Sequence, residues 1–255
     1  KEKNGRVGLD KRPVSVYLEG LYAGYRYFES YGGAPLYPFG YGLSYTTFAI
    51  GNMKVEVKET RVEVSADIKN TGAFSGKETL EVYLSAPAGK LDQPYQELKG
   101  YKKSPLLAPD ETASVTVVIP TERLASYDEE KAAYILEKGE YILRAGTSSR
   151  DTHVAGKLVV SEEILSEQYE NVLTILPDNK EKLNFLHGEN AHFYSYPGEA
   201  EEIAAVPALP LTKENFSLRT ARHKELPALH EIGHATLKDA RDGYVSLYDF
   251  VNQMT

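Results

Sequence analysis

Cysteine is absent from all 255 residues of the sequence. The chain therefore has no disulfide framework and no thiolate metal site. A chain without cysteine fits a reducing compartment, and no signal peptide is visible. We therefore predict a cytoplasmic location rather than secretion.

Long apolar runs and an excess of basic residues are also missing. No run approaches the roughly 18 apolar residues of a membrane helix. Lysine and arginine number 29 against 37 aspartate and glutamate residues, which gives a formal net charge of −8. This charge disfavours binding to nucleic acid or to an anionic membrane, and no phosphate-binding glycine loop occurs. The remaining composition, 42% hydrophobic and 26% charged, is typical of one or two globular domains.

Residues 16–48 hold eight of the nineteen tyrosines together with six glycines and two prolines. Glycine and proline weaken both helices and strands, so the pattern predicts irregular structure. We expect residues 38–44 to form a loop that is pinned by aromatic rings and packed between two bodies. Glu19 and Arg26 are charged residues among these rings, and they are our candidates for a buried pair or for the edge of a substrate pocket.

Residues 47–162 have the pattern of an antiparallel β-sandwich. Residues 54–58, 62–68 and 112–119 alternate polar and apolar side chains, with many β-branched residues. About seven such segments follow one another at short spacing, which is typical of an immunoglobulin-like or fibronectin type III-like sandwich. We also predict a short helical turn at residues 128–133 and a short helix that begins near residues 162–165.

The remaining residues are predicted to be a linker, 163–210, followed by a short helical segment, 211–255. The linker has little periodicity, but its aromatic residues predict that it packs on its neighbours. Its paired carboxylates Glu201 and Glu202 are interpreted as solvated charges. In the helical segment, one helix is expected to end at Gly243 and another to begin after Ser246.

Residues 230–234, HEIGH, match the HExxH pattern of zinc hydrolases. On a helix, His230 and His234 lie one turn apart, but a catalytic zinc needs a third protein ligand. No histidine follows His234, and Glu231 is the last glutamate of the chain. We therefore reject both histidines as metal ligands. His187 or His192 could still complete a site through the fold, so a zinc-dependent hydrolase remains an alternative.

Several stretches resemble glycoside hydrolases of family 3, the β-glucosidase-type enzymes. EGLYAGYRYFES and PLYPFGYGLSYTTF are similar to the end of the α/β sandwich domain of that family. NTGAFSGKETLEVYLSAP, PYQELKGYKK and LEKGEYILRAGTSSRD are similar to its fibronectin type III-like domain. TLKDARDGYVSLYDFVNQMT resembles the segment that enters the catalytic barrel. This order matches the subgroup in which the barrel lies C-terminal.

The resemblance implies a division of the chain into four parts. These are the tail of the α/β domain (1–46), the fibronectin type III-like domain (47–162), the linker (163–210) and the lead-in to a barrel (211–255). The implied partners are the barrel and the rest of the α/β domain, and we expect the chain to be the middle of such an enzyme.

The resemblance also implies an intact enzyme that hydrolyses terminal β-D-glucosyl residues without a cofactor. The family's nucleophile is a barrel aspartate and its acid/base is a glutamate of the α/β domain, and neither motif occurs here. We therefore predict an inactive, structural chain with no catalytic residue of its own. A stand-alone carbohydrate-binding module is the other alternative, although the sequence has no tryptophan and no evident aromatic platform.

Overall fold

The computed structural model describes residues 18–170, 185–220, 235–246 and 250–251. The chain divides into two compact units, Lys1–Thr220 and Ala221–Thr255. Within the described residues, no helix is long and apolar enough to cross a membrane.

The first unit consists mainly of β-strands, as predicted. Among its described residues, the α-helices are α1 (Tyr25–Tyr31) and α2 (Glu199–Ala205). Its strands are β1 (Phe48–Lys58), β2 (Arg61–Asn70), β3 (Thr79–Ser85), β4 (Glu97–Lys103), β5 (Thr112–Pro120), β6 (Ser126–Asp128), β7 (Ala133–Leu136), β8 (Gly139–Ser148), β9 (Asp151–Val160), β10 (Ile164–Gln168), β11 (Ala208–Pro210) and β12 (Arg219–Thr220).

The strands form three sheets. One sheet has the order β1-β2-β5 and is antiparallel throughout. The second has the order β11-β9-β8-β3-β4, in which only the short β11 pairs in parallel, with β9. The third has the order β12-β10-β7-β6. The predicted mainly β, fibronectin type III-like fold is therefore confirmed.

The hydrophobic core lies between the first two sheets, and the alternation in the sequence explains which side chains enter it. In β2 every second residue from Val62 to Ile68 is buried, because successive side chains point to opposite faces of a strand. β3 and β8 are buried on both faces over most of their length. Each fully buried aliphatic side chain contributes about 1.5–3 kcal/mol. The largest core residues from these sheets are Ile68, Leu80, Ile119, Leu143 and Leu158.

Two local predictions about secondary structure were wrong. The helical turn expected at residues 128–133 is instead the connection of a β-hairpin between β6 and β7. The carboxylate of Asp128 accepts hydrogen bonds from the backbone N–H groups of Glu130 and Lys131, which closes this connection. The helix expected near residues 162–165 is the strand β10, because pairing with β7 buries Ile164.

The predicted linker also contains regular structure. Both α2 and β11 lie within residues 163–210, and both pack on β9. The predicted packing of its aromatic residues is confirmed for Tyr194 and Tyr196, whose rings contact Arg150 and His153.

The described part of the second unit contains one five-residue helix, α3 (Leu237–Arg241). The Thr236 hydroxyl accepts a hydrogen bond from the Asp239 N–H, while the Asp239 carboxylate bonds back to Thr236, which forms a capping box. Gly243 follows with a φ of +81°, so the predicted glycine stop is confirmed. The helix predicted after Ser246 lies mostly outside the described residues. His230 and His234 lie wholly outside them.

The side chain of Asn70, at the end of β2, ties three segments of the first unit together. Its amide oxygen accepts hydrogen bonds from the Thr46 hydroxyl at 2.7 Å and the Gly72 N–H at 3.0 Å. Its amide nitrogen donates to the carbonyls of Phe74 at 2.8 Å and Leu107 at 2.9 Å. Asn70 has no exposed surface. Its full hydrogen-bonding capacity is therefore used inside the protein.

We predict that Asn70→Ala lowers the free energy of unfolding by about 2–4 kcal/mol, because it leaves buried backbone groups without partners. Urea unfolding of the full chain at neutral pH measures this change. The control is Lys69→Ala, which removes only the exposed ion pair to Asp110 and should cost less than about 1 kcal/mol. Equal stability of the two variants would contradict the role assigned to Asn70.

Candidate functional site

Residues 18–45, here called the aromatic segment, lie against the outer face of the second sheet, where the Tyr25 ring meets Tyr83 of β3 edge to face and the Tyr25 hydroxyl accepts a hydrogen bond from the Leu98 N–H of β4. Their only helix is α1, two turns long, with Gly24 before it and Gly32 after it, both at positive φ. Glycine adopts this backbone conformation without steric cost, which explains why the helix is short. Tyr22 is fully buried, and its ring meets Tyr31 edge to face at 5.0 Å. The predicted irregular structure is confirmed apart from this helix.

A buried ion pair joins the aromatic segment to the turn between β8 and β9. Glu29 has no exposed surface, and the guanidinium of Arg150 contacts its carboxylate. The Ser149 hydroxyl also donates a hydrogen bond to Glu29 at 3.0 Å. Burial raises the pKa of Glu29, while Arg150 and Ser149 oppose this shift. Arg150 also donates hydrogen bonds to the carbonyls of Phe28, within α1, and of Gly33, just after it. One arginine side chain therefore holds both the helix and the residues that follow it.

A second buried ion pair holds the chain around α2 against the same sandwich. Arg144 of β8 lies 2.6 Å from the carboxylate of Glu199, the first residue of α2, and both are buried. The hydroxyls of Tyr95 and Ser195 donate to the same carboxylate. Burial acts to raise the pKa of Glu199, but these three partners outweigh it and lower the pKa. The Arg144 guanidinium also lies 4.7 Å from the centre of the Tyr95 ring.

Glu202, which we predicted to be a solvated charge, instead has three partners. Its carboxylate lies 2.9 Å from the His153 ring, accepts from the Val154 N–H and accepts from the Tyr196 hydroxyl at 2.7 Å. Residues 201 and 202 were expected to lie in an irregular linker. They instead belong to α2, and this helix directs the Glu202 side chain toward β9. The prediction for Glu202 was therefore wrong.

Residues 36–45, here called the exposed loop, have an anchored base and an exposed rim. The Phe39 carbonyl accepts a hydrogen bond from the Ser149 N–H at 2.8 Å, and the Phe39 ring contacts Tyr25. In contrast, Leu43 is 92% exposed and Tyr45 is 96% exposed. The chain covers the base of this loop, and the packing of its rim against a second body stays a prediction.

Glu81 of β3 lies directly beneath the exposed loop at Gly40. Gly40 has a φ of +86°, and a side chain there would clash with the Glu81 carboxylate. The Tyr83 hydroxyl donates to this carboxylate at 2.5 Å, yet Glu81 is buried with no ion pair among the described contacts. Burial raises the pKa of Glu81, Tyr83 opposes this and the Glu78 charge adds to it.

Arg26 lies at the edge of a cavity of about 590 Å³. It contacts Glu97 at 3.1 Å, and Lys99 contacts the same carboxylate at 2.6 Å. Burial acts to raise the pKa of Glu97, but Lys99 and Arg26 outweigh it and lower the pKa. Glu19 is exposed and is not among the residues that line the cavity. The structure therefore places Arg26 among the residues that line this cavity and pairs it with Glu97 rather than with Glu19, while substrate binding by either residue stays a prediction.

No metal site is formed by the part of the chain that the structure describes, where no three histidine, aspartate or glutamate side chains cluster. The paired carboxylates Glu162 and Glu163 bond to different lysines, Lys213 and Lys131. The ion pairs of Arg150 and Arg144 hold the aromatic segment and α2 on the sandwich, and the exposed loop presents an apolar surface to solvent.

The residues that matter most in this arrangement were missed by sequence reasoning. Glu29 stands among the same aromatic residues as Glu19 and Arg26, and its position inside the YFES run was the available signal. Arg150 lies in the turn between β8 and β9, where the sequence carries no signal of an ion pair. The sequence carries no signal that Glu29 and Arg150 pair with each other, because they lie far apart along the chain.

We predict that Glu81→Gln increases the stability of the chain at alkaline pH. The pKa of Glu81 is raised above its usual 4.5. The protonated side chain therefore contributes stability that is fully present below pH 4.5 and is lost as the pH rises through the raised pKa, because the buried carboxylate then becomes charged. Glutamine keeps the bond to Tyr83 without the charge. Urea unfolding should show a larger gain at about pH 8 than at about pH 4.5.

The control for this measurement is Glu140→Gln, an exposed carboxylate in the same sheet, which should show no such difference. A gain for Glu81→Gln that is the same at both pH values would contradict the explanation from burial.

Comparison with known proteins gives likenesses to one group of enzymes. Residues 78–149 match the family model of a fibronectin type III-like domain. β-Glucosidase A of Butyrivibrio fibrisolvens is 44% identical over an alignment of 186 positions that covers 63% of this chain and 22% of that enzyme. A putative β-glucosidase of Schizosaccharomyces pombe is 37% identical over 58% of this chain and 18% of its own length. The chain spans about a fifth of the length of these curated relatives.

Solved structures give the same result. β-Glucosidase 3B of Thermotoga neapolitana, in complex with α-D-glucose, is 44% identical with a TM-score of 0.53 over 56% of this chain and 20% of that chain. A β-glucosidase of Paenibacillus barengoltzii is 30% identical with a TM-score of 0.58 over 94% of this chain and 27% of that chain. The chain therefore carries a fibronectin type III-like domain, and over part of its length it is similar to β-glucosidases, among them a glycoside hydrolase family 3 β-glucosidase of Bifidobacterium adolescentis.

Proposed function

We propose that this chain is a non-catalytic portion of a β-glucosidase-type glycoside hydrolase and that it braces the catalytic domains of that enzyme. In the intact enzyme, the reaction is hydrolysis of terminal β-D-glucosyl residues. The similarity to β-glucosidases several times longer than this chain supports the proposal. The partners that it implies are the barrel and the remainder of the α/β domain.

The observation that carries this proposal is the exposed loop. Its large side chains Leu36, Tyr37, Leu43 and Tyr45 lie close together in sequence and are all strongly exposed. Clustered apolar side chains of this kind mark interaction surfaces in soluble proteins. The loop continues from the segment that resembles the end of the α/β domain, so we assign the rest of that domain as its partner.

Rigid attachment of the loop explains how the chain would brace its neighbours. The Glu29–Arg150 pair fixes α1, and the Ser149 N–H fixes the loop at Phe39. Residues 149 and 150 belong to the turn between two long central strands. A force on the exposed loop is therefore carried into the sandwich rather than absorbed by the loop.

The proposal assigns the chemistry to residues outside this chain. The family resemblance implies an aspartate nucleophile in the barrel and a glutamate acid/base in the α/β domain. Glycoside hydrolysis with retention needs two such carboxyl groups about 5 Å apart. The matching motifs do not occur in these 255 residues. The chain is therefore expected to lack turnover when it is separated from its partners.

We predict that the purified chain does not hydrolyse p-nitrophenyl β-D-glucoside above the uncatalysed rate. The intact parent enzyme, assayed at the same molar concentration, is the positive control. Turnover that follows the chain through successive purification steps would contradict a non-catalytic role.

We also predict that the double substitution Leu43→Ser and Tyr45→Ser destabilises the intact enzyme but not the isolated chain. The two side chains are exposed in the chain, and their burial against a partner would contribute about 1.5–3 kcal/mol each. Thermal inactivation of the intact enzyme and urea unfolding of the isolated chain measure the two effects.

The matched control is Phe74→Ser, which removes another exposed aromatic side chain outside the loop. Equal inactivation rates for the loop variant, the control and the unchanged enzyme would show that the loop is not an interface.

A further inference from the structure

Three tyrosines line the cavity at whose edge Arg26 lies. The rings of Tyr127 and Tyr134 have centroids 5.2 Å apart, and Tyr169 meets Tyr134 edge to face at 5.9 Å. Each of the three residues keeps between 37% and 39% of its surface exposed. These rings are therefore offered to the cavity rather than buried in the core. We call this region the tyrosine cleft.

The strand register explains why the rings lie together. Tyr127 of β6 is the cross-strand partner of Tyr134 of β7, and Tyr134 is the partner of Glu167 of β10. Directly opposed residues of neighbouring strands point to the same face of a sheet. Tyr169, one residue beyond β10, donates its hydroxyl to Glu167 at 2.5 Å. The result is a row of two rings and a carboxylate across three strands, with a third ring beside it.

The rest of the tyrosine cleft supplies hydrogen-bonding groups from other elements. Arg26 and Lys99 both contact Glu97, and these three side chains lie along the cavity wall. The Gln93 amide donates to the Ser126 hydroxyl at 3.0 Å, and both residues line the cavity. Donors and acceptors are thus placed beside an aromatic surface, which is the arrangement that orients a polar ligand in a pocket.

The charges of the tyrosine cleft indicate a neutral ligand. Its lining includes three cationic and five acidic side chains, and this excess of carboxylates disfavours an anion. Two of those carboxylates already have cationic or imidazole partners, since Glu97 binds Arg26 and Lys99 while Asp92 lies 2.9 Å from the His187 ring. Among the described residues, no three histidine, aspartate or glutamate side chains cluster here, so the cleft does not offer a metal-ion site. Hydroxyl groups, which both donate and accept, match this mixed lining.

We propose that the tyrosine cleft binds a neutral oligosaccharide, with the apolar face of a sugar ring against Tyr127 and Tyr134. The sugar hydroxyls bond to the Arg26–Glu97–Lys99 group and to Glu167. The cavity volume of about 590 Å³ lies within the range of about 300–1,000 Å³ typical of small-ligand sites. The choice of β-linked glucose as the sugar rests on the proposed function, while the neutral, hydroxyl-rich class rests on the cleft itself.

Titration of the full 255-residue chain with cellotetraose, followed by calorimetry, tests this proposal. We expect saturable binding that is weakened at least about tenfold by Tyr134→Ala, since a ring contact is removed. Tyr134→Phe keeps the ring and should retain binding within about threefold. Tyr101→Ala removes an exposed tyrosine of β4 that does not line this cavity, and it should leave the affinity unchanged.

Circular dichroism of each variant establishes that it is folded, and Tyr127→Ala replaces Tyr134→Ala if the latter unfolds. Absence of saturable binding, or equal affinity of the unchanged chain and the folded alanine variant, would overturn the proposal. The titration involves neither turnover nor the exposed loop. A failure of the cleft to bind cellotetraose would therefore not contradict the proposed bracing function. Likewise, an inactive isolated chain would not contradict the proposal for the cleft.

Discussion

The contact between Glu29 and Arg150 is the interaction on which the arrangement of this chain depends. A carboxylate without exposed surface needs a partner, and removal of one member of such a pair commonly costs about 3–5 kcal/mol. Arg150 meets this need from a tight turn, while it also bonds to two carbonyls and lies 4.0 Å from the centre of the Tyr194 ring. Arg150 therefore connects three parts of the chain, which are the aromatic segment, the sandwich and the residues before α2.

The second pair, Arg144 with Glu199, extends the same principle to a more distant part of the sequence. Arg144 and Arg150 belong to one hairpin, yet their acidic partners lie 170 positions apart along the chain, at Glu29 and Glu199. Segments that precede and follow the sandwich in the sequence therefore converge on this hairpin. The bracing role proposed above requires such a point, because the exposed loop can transmit its position only if its base does not move.

Alternating apolar residues made the sandwich predictable, since a two-residue period with β-branched side chains has few other solutions. The same reasoning failed at residues 128–133 and 162–165, where short polar segments carry little periodicity. There, pairing with β7 outweighed local preference, so a hairpin connection formed at residues 128–133 and a strand formed from Ile164. Glu202 was misread for a related reason, because its partners His153 and Val154 lie about fifty residues away and only the packing of α2 on β9 brings them close.

By itself, the sequence determined the β-rich fold, the glycine-bounded aromatic segment and the resemblance to family 3 enzymes, because these depend on local pattern and on long motifs. Only the tertiary structure decided that Arg26 pairs with Glu97, that Glu29 is buried, and that Tyr127, Tyr134 and Tyr169 share one cleft. The physical reason lies in strand register. Alternation shows which residues of one strand share a face, but backbone pairing between strands decides which residues of different strands meet.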